Sequence, residues 1–218
     1  MKYLFLDLDG TISKSRQKAE INMLRELQRI SKKYKIFIVS GAEYSRMLLQ
    51  APVKNVVYMA QNANDVRKNG KVLWTNQLSN KKDILEHIKL IAKKFGFKLG
   101  EDNIEDRGSQ IVVSFTGFRA PQELKNKFDP DRKIRMEMLR KFPHPNAYVA
   151  GLTGIDFIPK TKGENIQKYL KLMKIKSSDC LYIGDALEKG ANDESVCGII
   201  PTFAVKNPKD TLQFIKQI

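Results

Sequence analysis

The sequence predicts an α/β protein, with a parallel-sheet core made from both ends of the chain and an α+β domain inserted between them. Three observations carry this. Short apolar runs alternate with helical spacing over the first 60 residues; a hairpin signal near residue 70 opens a stretch with a different pattern; and the alternation resumes after about residue 157. Alternation of strand and helix implies right-handed βαβ units and a parallel sheet.

The elements follow in order. Residues 2–7 (KYLFLD) read as a buried strand that ends at polar residues and Gly10. Residues 16–33 place Ile21, Leu24, Leu27 and Ile30 on one helical face. Lys35–Val39 is a second buried strand closed by Ser40-Gly41, Ser45–Gln50 suits the start of a helix, and Asn55–Ala60 is a third strand. Asn69-Gly70, between Val66 and the run Val72-Leu73-Trp74, is a hairpin signal. Residues 81–95 then read as helix, Gln110–Phe115 as strand, Ile134–Lys141 as helix and Ala147–Phe157 as extended chain. Glu164–Met173 is an amphipathic helix, Cys180–Gly184 a buried strand, Thr202–Val205 a short strand and Lys209–Ile218 a closing helix. The expected division is therefore 1–78 with 158–218 as the core and 79–157 as the insert.

Composition bounds the rest. A chain of 218 residues, 42% hydrophobic, can bury one core and a smaller satellite without disulfides. Its two cysteines, Cys180 and Cys197, give no disulfide framework and suggest a reducing, cytoplasmic setting. Asp7 and Asp9 interrupt the N-terminal apolar run before a signal segment forms, and no stretch has the ~18 apolar residues of a membrane span, so no membrane partner is expected. A net charge of +15 raises nucleic acid as a partner, but the lysines are scattered over helical faces and are not interleaved with aromatics. A positive field serves equally well to attract a small anionic substrate. Oligomeric state leaves no signature in this sequence.

Four polar groups fall just past strand ends, where an open parallel sheet has its crevice: Asp7-Leu8-Asp9-Gly10-Thr11, Ser40-Gly41, Lys162-Gly163, and Gly184-Asp185 with Asn192-Asp193. Taken alone, the first is also readable as a strand cap or an Asx turn. Together they suit phosphoryl chemistry. A carboxylate attacks a negatively charged phosphoryl group only when a hard cation and positive donors screen the repulsion. Asp7 and Asp185 offer the oxygen ligands that Mg²⁺ prefers, Ser40 and the Gly41 N–H suit phosphoryl oxygens, and Lys162 adds a point charge. Asp9 is close enough along the chain to protonate a leaving oxygen.

These segments, DLDGT at 7–11, VSGA at 39–42, Lys162 and GDALEKGANDESV at 184–196, resemble the four motifs of the haloacid dehalogenase-like superfamily in their usual order. The resemblance implies a Rossmann-like parallel-sheet core and a type-two cap domain inserted between the second and third motifs. It implies Asp7 as nucleophile forming an aspartyl-phosphate, and Asp9 as general acid and base with its carbonyl on Mg²⁺. It also implies Asp185 as a metal ligand supported by Asn192 and Asp193, and Ser40 and Lys162 on the phosphate. Among capped members the sequence most resembles eukaryotic-type phosphomannomutases, through RGSQIVVSFTGFR at 107–119, FDPDRKIR at 128–135 and GLTGIDFIP at 151–159. That likeness points to Arg107, Arg119 and Asp156 as substrate-contacting cap residues. Ala42, Asn62-Ala63 and Val112 depart from the relatives' usual Arg, Asn-Gly and Asn. The expectation is a Mg²⁺-dependent phosphatase for a small phosphorylated metabolite such as a sugar phosphate. A hexose-phosphate mutase is the alternative, and a nucleic-acid-binding protein on a disused phosphatase fold is a third reading that the intact acidic motifs oppose.

Overall fold

A computed structural model describes all 218 residues and divides into two compact units, residues 1–75 with 160–218 and residues 76–159. The first unit holds a seven-stranded sheet in the order β11-β10-β1-β2-β3-β4-β5. Its strands are β1 (Tyr3–Asp7), β2 (Lys35–Val39), β3 (Val57–Met59), β4 (Asp65–Lys68), β5 (Lys71–Thr75), β10 (Cys180–Gly184) and β11 (Thr202–Ala204). The first three and the last two run parallel, and β4 and β5 add an antiparallel hairpin at one edge. Asn69 and Gly70 both have positive φ, 50° and 78°, which is the type I′ geometry an Asn-Gly pair predicts.

Period-two alternation builds the two faces of this sheet. Leu4, Leu6, Ile36, Ile38, Tyr58 and Ile183 point to one side and pack with Met23, Leu27 and Ile30 of α1 (Ile21–Ile30), Met47 of α2 (Tyr44–Gln50) and Ile215 of α8 (Pro208–Lys216). Phe5, Phe37, Val57, Met59 and Tyr182 point to the other and meet Ile166, Tyr169 and Leu170 of α7 (Lys162–Leu172). Stacking of Phe5 on Phe37 at 4.2 Å, with the Tyr169 ring edge-on to Phe37 at 5.0 Å, ties three elements together. Fully burying one such side chain contributes about 1.5–3 kcal/mol. Half-buried Trp74 leans on Tyr169 at 5.8 Å, a packing role.

Because β1 lies between β2 and β10, the chain leaves it toward one edge and returns to its other side only at the far end of the sequence. This is the topological switch point of a doubly wound sheet, and its crevice lies past the carboxyl ends of those strands.

The second unit is a four-stranded antiparallel sheet, β6-β7-β9-β8, built from β6 (Ile104–Asp106), β7 (Ile111–Ser114), β8 (Ala147–Ala150) and β9 (Gly154–Phe157). Its helices are α4 (Lys81–Lys94), α5 (Gln122–Phe128) and α6 (Lys133–Lys141). Ile111, Val113, Ile155 and Phe157 face Ile84, Ile88 and Ile91 of α4 and Met138 of α6. The alternate positions Val112, Asp156 and Tyr148 are cross-strand partners and share the opposite face.

Several elements differ from the reading of the sequence. α1 begins at Ile21 rather than 16, because Arg16 has a left-handed φ of 58° and residues 9–17 form a loop. β3 starts at Val57 because Asn55, with φ of 62°, turns the chain first. The extended segment 147–157 is two strands reversed at Gly151, and β6 and α5 carry no periodicity long enough to be read. A single turn, α3 (Ala60–Ala63), also went unread; Gln61 and Asn62 are left-handed within it.

One buried ion pair organises the second unit. The Arg135 guanidinium, 1% exposed, donates to Asp129 Oδ2 at 2.8 Å and to the carbonyls of Ala150 and Gly151 at 2.9 Å and Gly154 at 3.3 Å, clasping the β8–β9 turn. Asp129 in turn accepts from the Ile134 and Arg135 amides in the first turn of α6. Breaking a buried pair by removing one partner costs about 3–5 kcal/mol, because the other charge stays buried alone. We predict that Arg135→Met lowers unfolding free energy in urea by about that amount; a loss below about 1 kcal/mol, in the range of an exposed pair, would contradict this assignment.

Candidate active site

β1 delivers Asp7 and the following turn, β2 delivers Ser40, β10 delivers Asp185, and the first residue of α7 is Lys162. Two glycines set how closely these come together. A Cβ on Gly163 would lie 1.7 Å from the Ser195 carbonyl oxygen, so only glycine lets the start of α7 meet the 193–196 loop. Gly10 has φ of 86°, and a Cβ there would lie 2.2 Å from Asp185 Oδ2.

Thr161 and Glu164 close a capping box around that helix start, with Thr161 N–H donating to Glu164 at 2.7 Å. A lysine next in line opposes the helix dipole, so Lys162 is not there for the helix. Its ammonium, 1% exposed, donates to Asp7 Oδ1 and Asp193 Oδ1, both at 2.6 Å. Tyr182 O–H also donates to Asp193 Oδ1, at 2.8 Å, while the buried Asp193 Oδ2 has no hydrogen-bond partner. Thr11 Oγ1 donates to Asp185 Oδ1 at 3.2 Å.

Asp7, Asp185 and Asp193 each place a carboxylate oxygen within 4.8 Å of the others. Three carboxylates against one ammonium leave an excess of two negative charges. Burial holds the Asp7 carboxyl well above its ordinary range; Lys162 pulls it down, but Asp193 and Asp185 add to the rise. Burial and Asp193 likewise raise Asp185. Burial works against the Lys162 ammonium, yet Asp193 and Asp7 outweigh it and hold its pKa above the ordinary lysine value. The site thus lacks positive charge. A partnerless buried carboxylate oxygen, oxygen-only donors and surplus negative charge fit a hard divalent cation, so the triad can hold a metal.

The other residues singled out by the sequence stand as follows. Asp9 lies outside this cluster: its Oδ1 accepts from Arg16 N–H at 2.7 Å and Gln50 Nε2 at 3.1 Å. Ser40 is buried, and its Oγ accepts from Ala42 N–H at 3.0 Å; Gly41 beside it is half-buried. Asn192 is exposed, next to the buried Asp193. In the second unit Arg107 forms an ion pair with Glu105 and lies 5.8 Å over the Phe118 ring. Arg119 is exposed and 3.6 Å from Asp102, and Asp156 is buried in β9. His144, in the turn before β8, accepts from Asn146 N–H and packs on Phe157.

Sequence reasoning missed Tyr182 and Gln50. Tyr182 alternates with its neighbours as a strand residue does, and Gln50 ends an apolar helix; neither carries a motif, and only the fold brings them to Asp193 and Asp9.

Comparison with known proteins follows the same lines. A phosphomannomutase of Triticum aestivum is 26% identical over 236 residues, spanning 97% of this chain and 93% of that protein. The IMP-bound, N-terminally truncated IMP-nucleotidase of Plasmodium falciparum superposes with a TM-score of 0.70 at 17% identity, over 100% of this chain and 68% of that one. A haloacid dehalogenase-like hydrolase from Bacteroides thetaiotaomicron does so with a TM-score of 0.66 at 12% identity, over 99% and 98% of the two chains. The two structures share the fold, that of the haloacid dehalogenase-like superfamily. The trehalose-phosphatase family model matches residues 5–123, more than half of the sequence and with Asp7 inside it, and the chain accordingly belongs to this family of phosphatases.

Proposed function

We propose that this enzyme hydrolyses a small phosphorylated metabolite, a sugar phosphate, with Mg²⁺ held by Asp7, Asp185 and Asp193, and that the phosphoryl group passes through Asp7. The observation that carries the reading is the buried Asp7–Lys162–Asp193 cluster, whose partnerless oxygen and surplus negative charge suit a divalent cation. Bound Mg²⁺ supplies the positive charge that screens a phosphoryl group approaching a carboxylate. An Asp7 oxygen attacks phosphorus as the bond to the leaving oxygen breaks, and Asp9 gives that oxygen its proton. Water then attacks the aspartyl-phosphate, Asp9 takes back a proton, and the Asp7 oxygen to phosphorus bond breaks. Lys162 holds Asp7 in place throughout, and Ser40 with the Gly41 N–H receives phosphoryl oxygens. Asn192 stands next to the metal ligand Asp193.

Asp7→Asn keeps the shape and loses the nucleophile, so phosphate release should fall at least about a thousandfold, a barrier increase of about 4 kcal/mol. Activity within about tenfold of the parent would remove Asp7 from that role. Mg²⁺ should also raise the melting temperature, since a ligand at 100 times its Kd stabilises by about 2.7 kcal/mol. Asp185→Asn should abolish that rise and EDTA should abolish turnover; a full rise in the Asp185 variant would place the cation elsewhere.

A mutase is the second reading, favoured by the likeness to a phosphomannomutase over nearly the whole chain. It needs a second phosphate site, and of the two candidate arginines Arg107 is already paired with Glu105 while Arg119 is left exposed to solvent. Hydrolysis is therefore the expected outcome: with mannose or glucose phosphates, phosphate release outruns 1-to-6 isomerisation. Isomerisation dominating once a hexose 1,6-bisphosphate is supplied would reverse the order of the two readings.

A further inference from the structure

Gln50 is an odd residue for its position. It is the last residue of α2, 3% exposed, and its Oε1 is buried without a hydrogen-bond partner. An unsatisfied buried amide oxygen is destabilising, so an apolar side chain of the same size would serve the fold better. What the amide provides instead is a donor. Its Nε2 donates to Asp9 Oδ1 at 3.1 Å and to Ser13 Oγ and the Gln17 carbonyl at 3.3 Å. Ser13 O in turn accepts from Gly10 N–H at 2.7 Å, and Arg16 N–H donates to the same Asp9 Oδ1 at 2.7 Å. One buried side chain thus grips both ends of the 9–17 loop and the carboxyl group at its start.

The geometry points to Gln50 as the positioning residue for Asp9, an inference that rests on the acid and base role proposed for Asp9. A carboxyl oxygen that accepts two N–H donors is the carbonyl-type oxygen, since a proton on it would meet those donors. Gln50 and Arg16 N–H therefore assign Oδ1 to the protein and leave Oδ2 to carry the proton. That proton moves to the leaving oxygen as its bond to phosphorus breaks, and the water that attacks the aspartyl-phosphate returns one to Oδ2. Without Gln50 the carboxyl rotates about its Cβ–Cγ bond, and the donor oxygen spends less time in place.

This predicts a loss that depends on the leaving group. A proton donor matters most when the departing oxygen is basic, so phenyl phosphate suffers more than p-nitrophenyl phosphate. The test measures kcat/KM for both in the parent, Gln50→Met and Asp9→Asn. Met fills the volume without a donor, and melting temperatures establish that each variant is folded. In Asp9→Asn the phenyl to p-nitrophenyl ratio should fall by about tenfold or more, and in Gln50→Met by at least about threefold, in the same direction. A fall in Asp9→Asn with an unchanged ratio in Gln50→Met, both substrates slowing in step, overturns the positioning role and leaves Asp9 as the acid. An unchanged ratio in Asp9→Asn overturns both. Gln50→Glu supplies an independent arm: it keeps the length, puts a carboxylate against Asp9, and should lower the ratio at least as far as Met. A ratio restored to the parental value by Glu would also defeat the inference.

Discussion

A single ammonium group, Lys162 Nζ, holds the first unit's crevice together. It lies 2.6 Å from Asp7 and 2.6 Å from Asp193, and so links the end of β1 to the loop after β10 through the first residue of α7. Removing water from three charges is costly, and their mutual attraction offsets this only when geometry and further hydrogen bonds are good. Tyr182 supplies one such bond, and the capping box of α7 and the contact of Gly163 with Ser195 fix the helix that carries the ammonium. The aromatic layer of Phe5, Phe37 and Tyr169 keeps that helix on the sheet. Packing, capping and charge thus serve the same few atoms.

The compensation is partial. One positive group for three carboxylates leaves a deficit, and the fold leaves Asp193 Oδ2 without a donor. A structural ion pair would be neutral and saturated. This cluster is neither, which is why its electrostatics read as function rather than stability. The Arg135–Asp129 pair of the second unit is the contrast: its guanidinium spends its donors on one carboxylate and four backbone carbonyls, and it holds a turn.

Much of this was legible in the sequence where local rules dominate. Buried strands such as Cys180–Gly184, the Asn69-Gly70 turn and the amphipathic helix read over 164–173, which the structure forms over 162–172, follow from apolar runs, turn chemistry and helical spacing, and the DLDGT and GD…ND segments marked strand ends. The rest depends on tertiary geometry. A three-residue strand such as β6 has no period to detect, and left-handed residues at Arg16 and Asn55 trim elements whose hydrophobic pattern runs on. Tyr182 and Gln50 look like ordinary strand and helix residues, because what distinguishes them is a partner 11 or 41 positions away. No helix in the structure is long and apolar enough to cross a membrane, in line with the hydropathy.

The register of β1 bears on how the molecule is made. Tyr3 pairs with Lys35 on one side and with Cys180 on the other, so half of the central strand's backbone partners arrive when most of the chain has already been translated. At about 5–20 residues per second, the roughly 100 residues between β5 and β10 leave the nascent sheet open at β1 for about 5–20 s. Over that interval Leu4, Phe5 and Leu6 lack their neighbours from β10, and the edge they form is open to pairing with another chain. The second unit, built from residues 76–159, is complete before that gap closes. Chaperone demand during synthesis should therefore centre on the first strand, which is also the strand that carries Asp7.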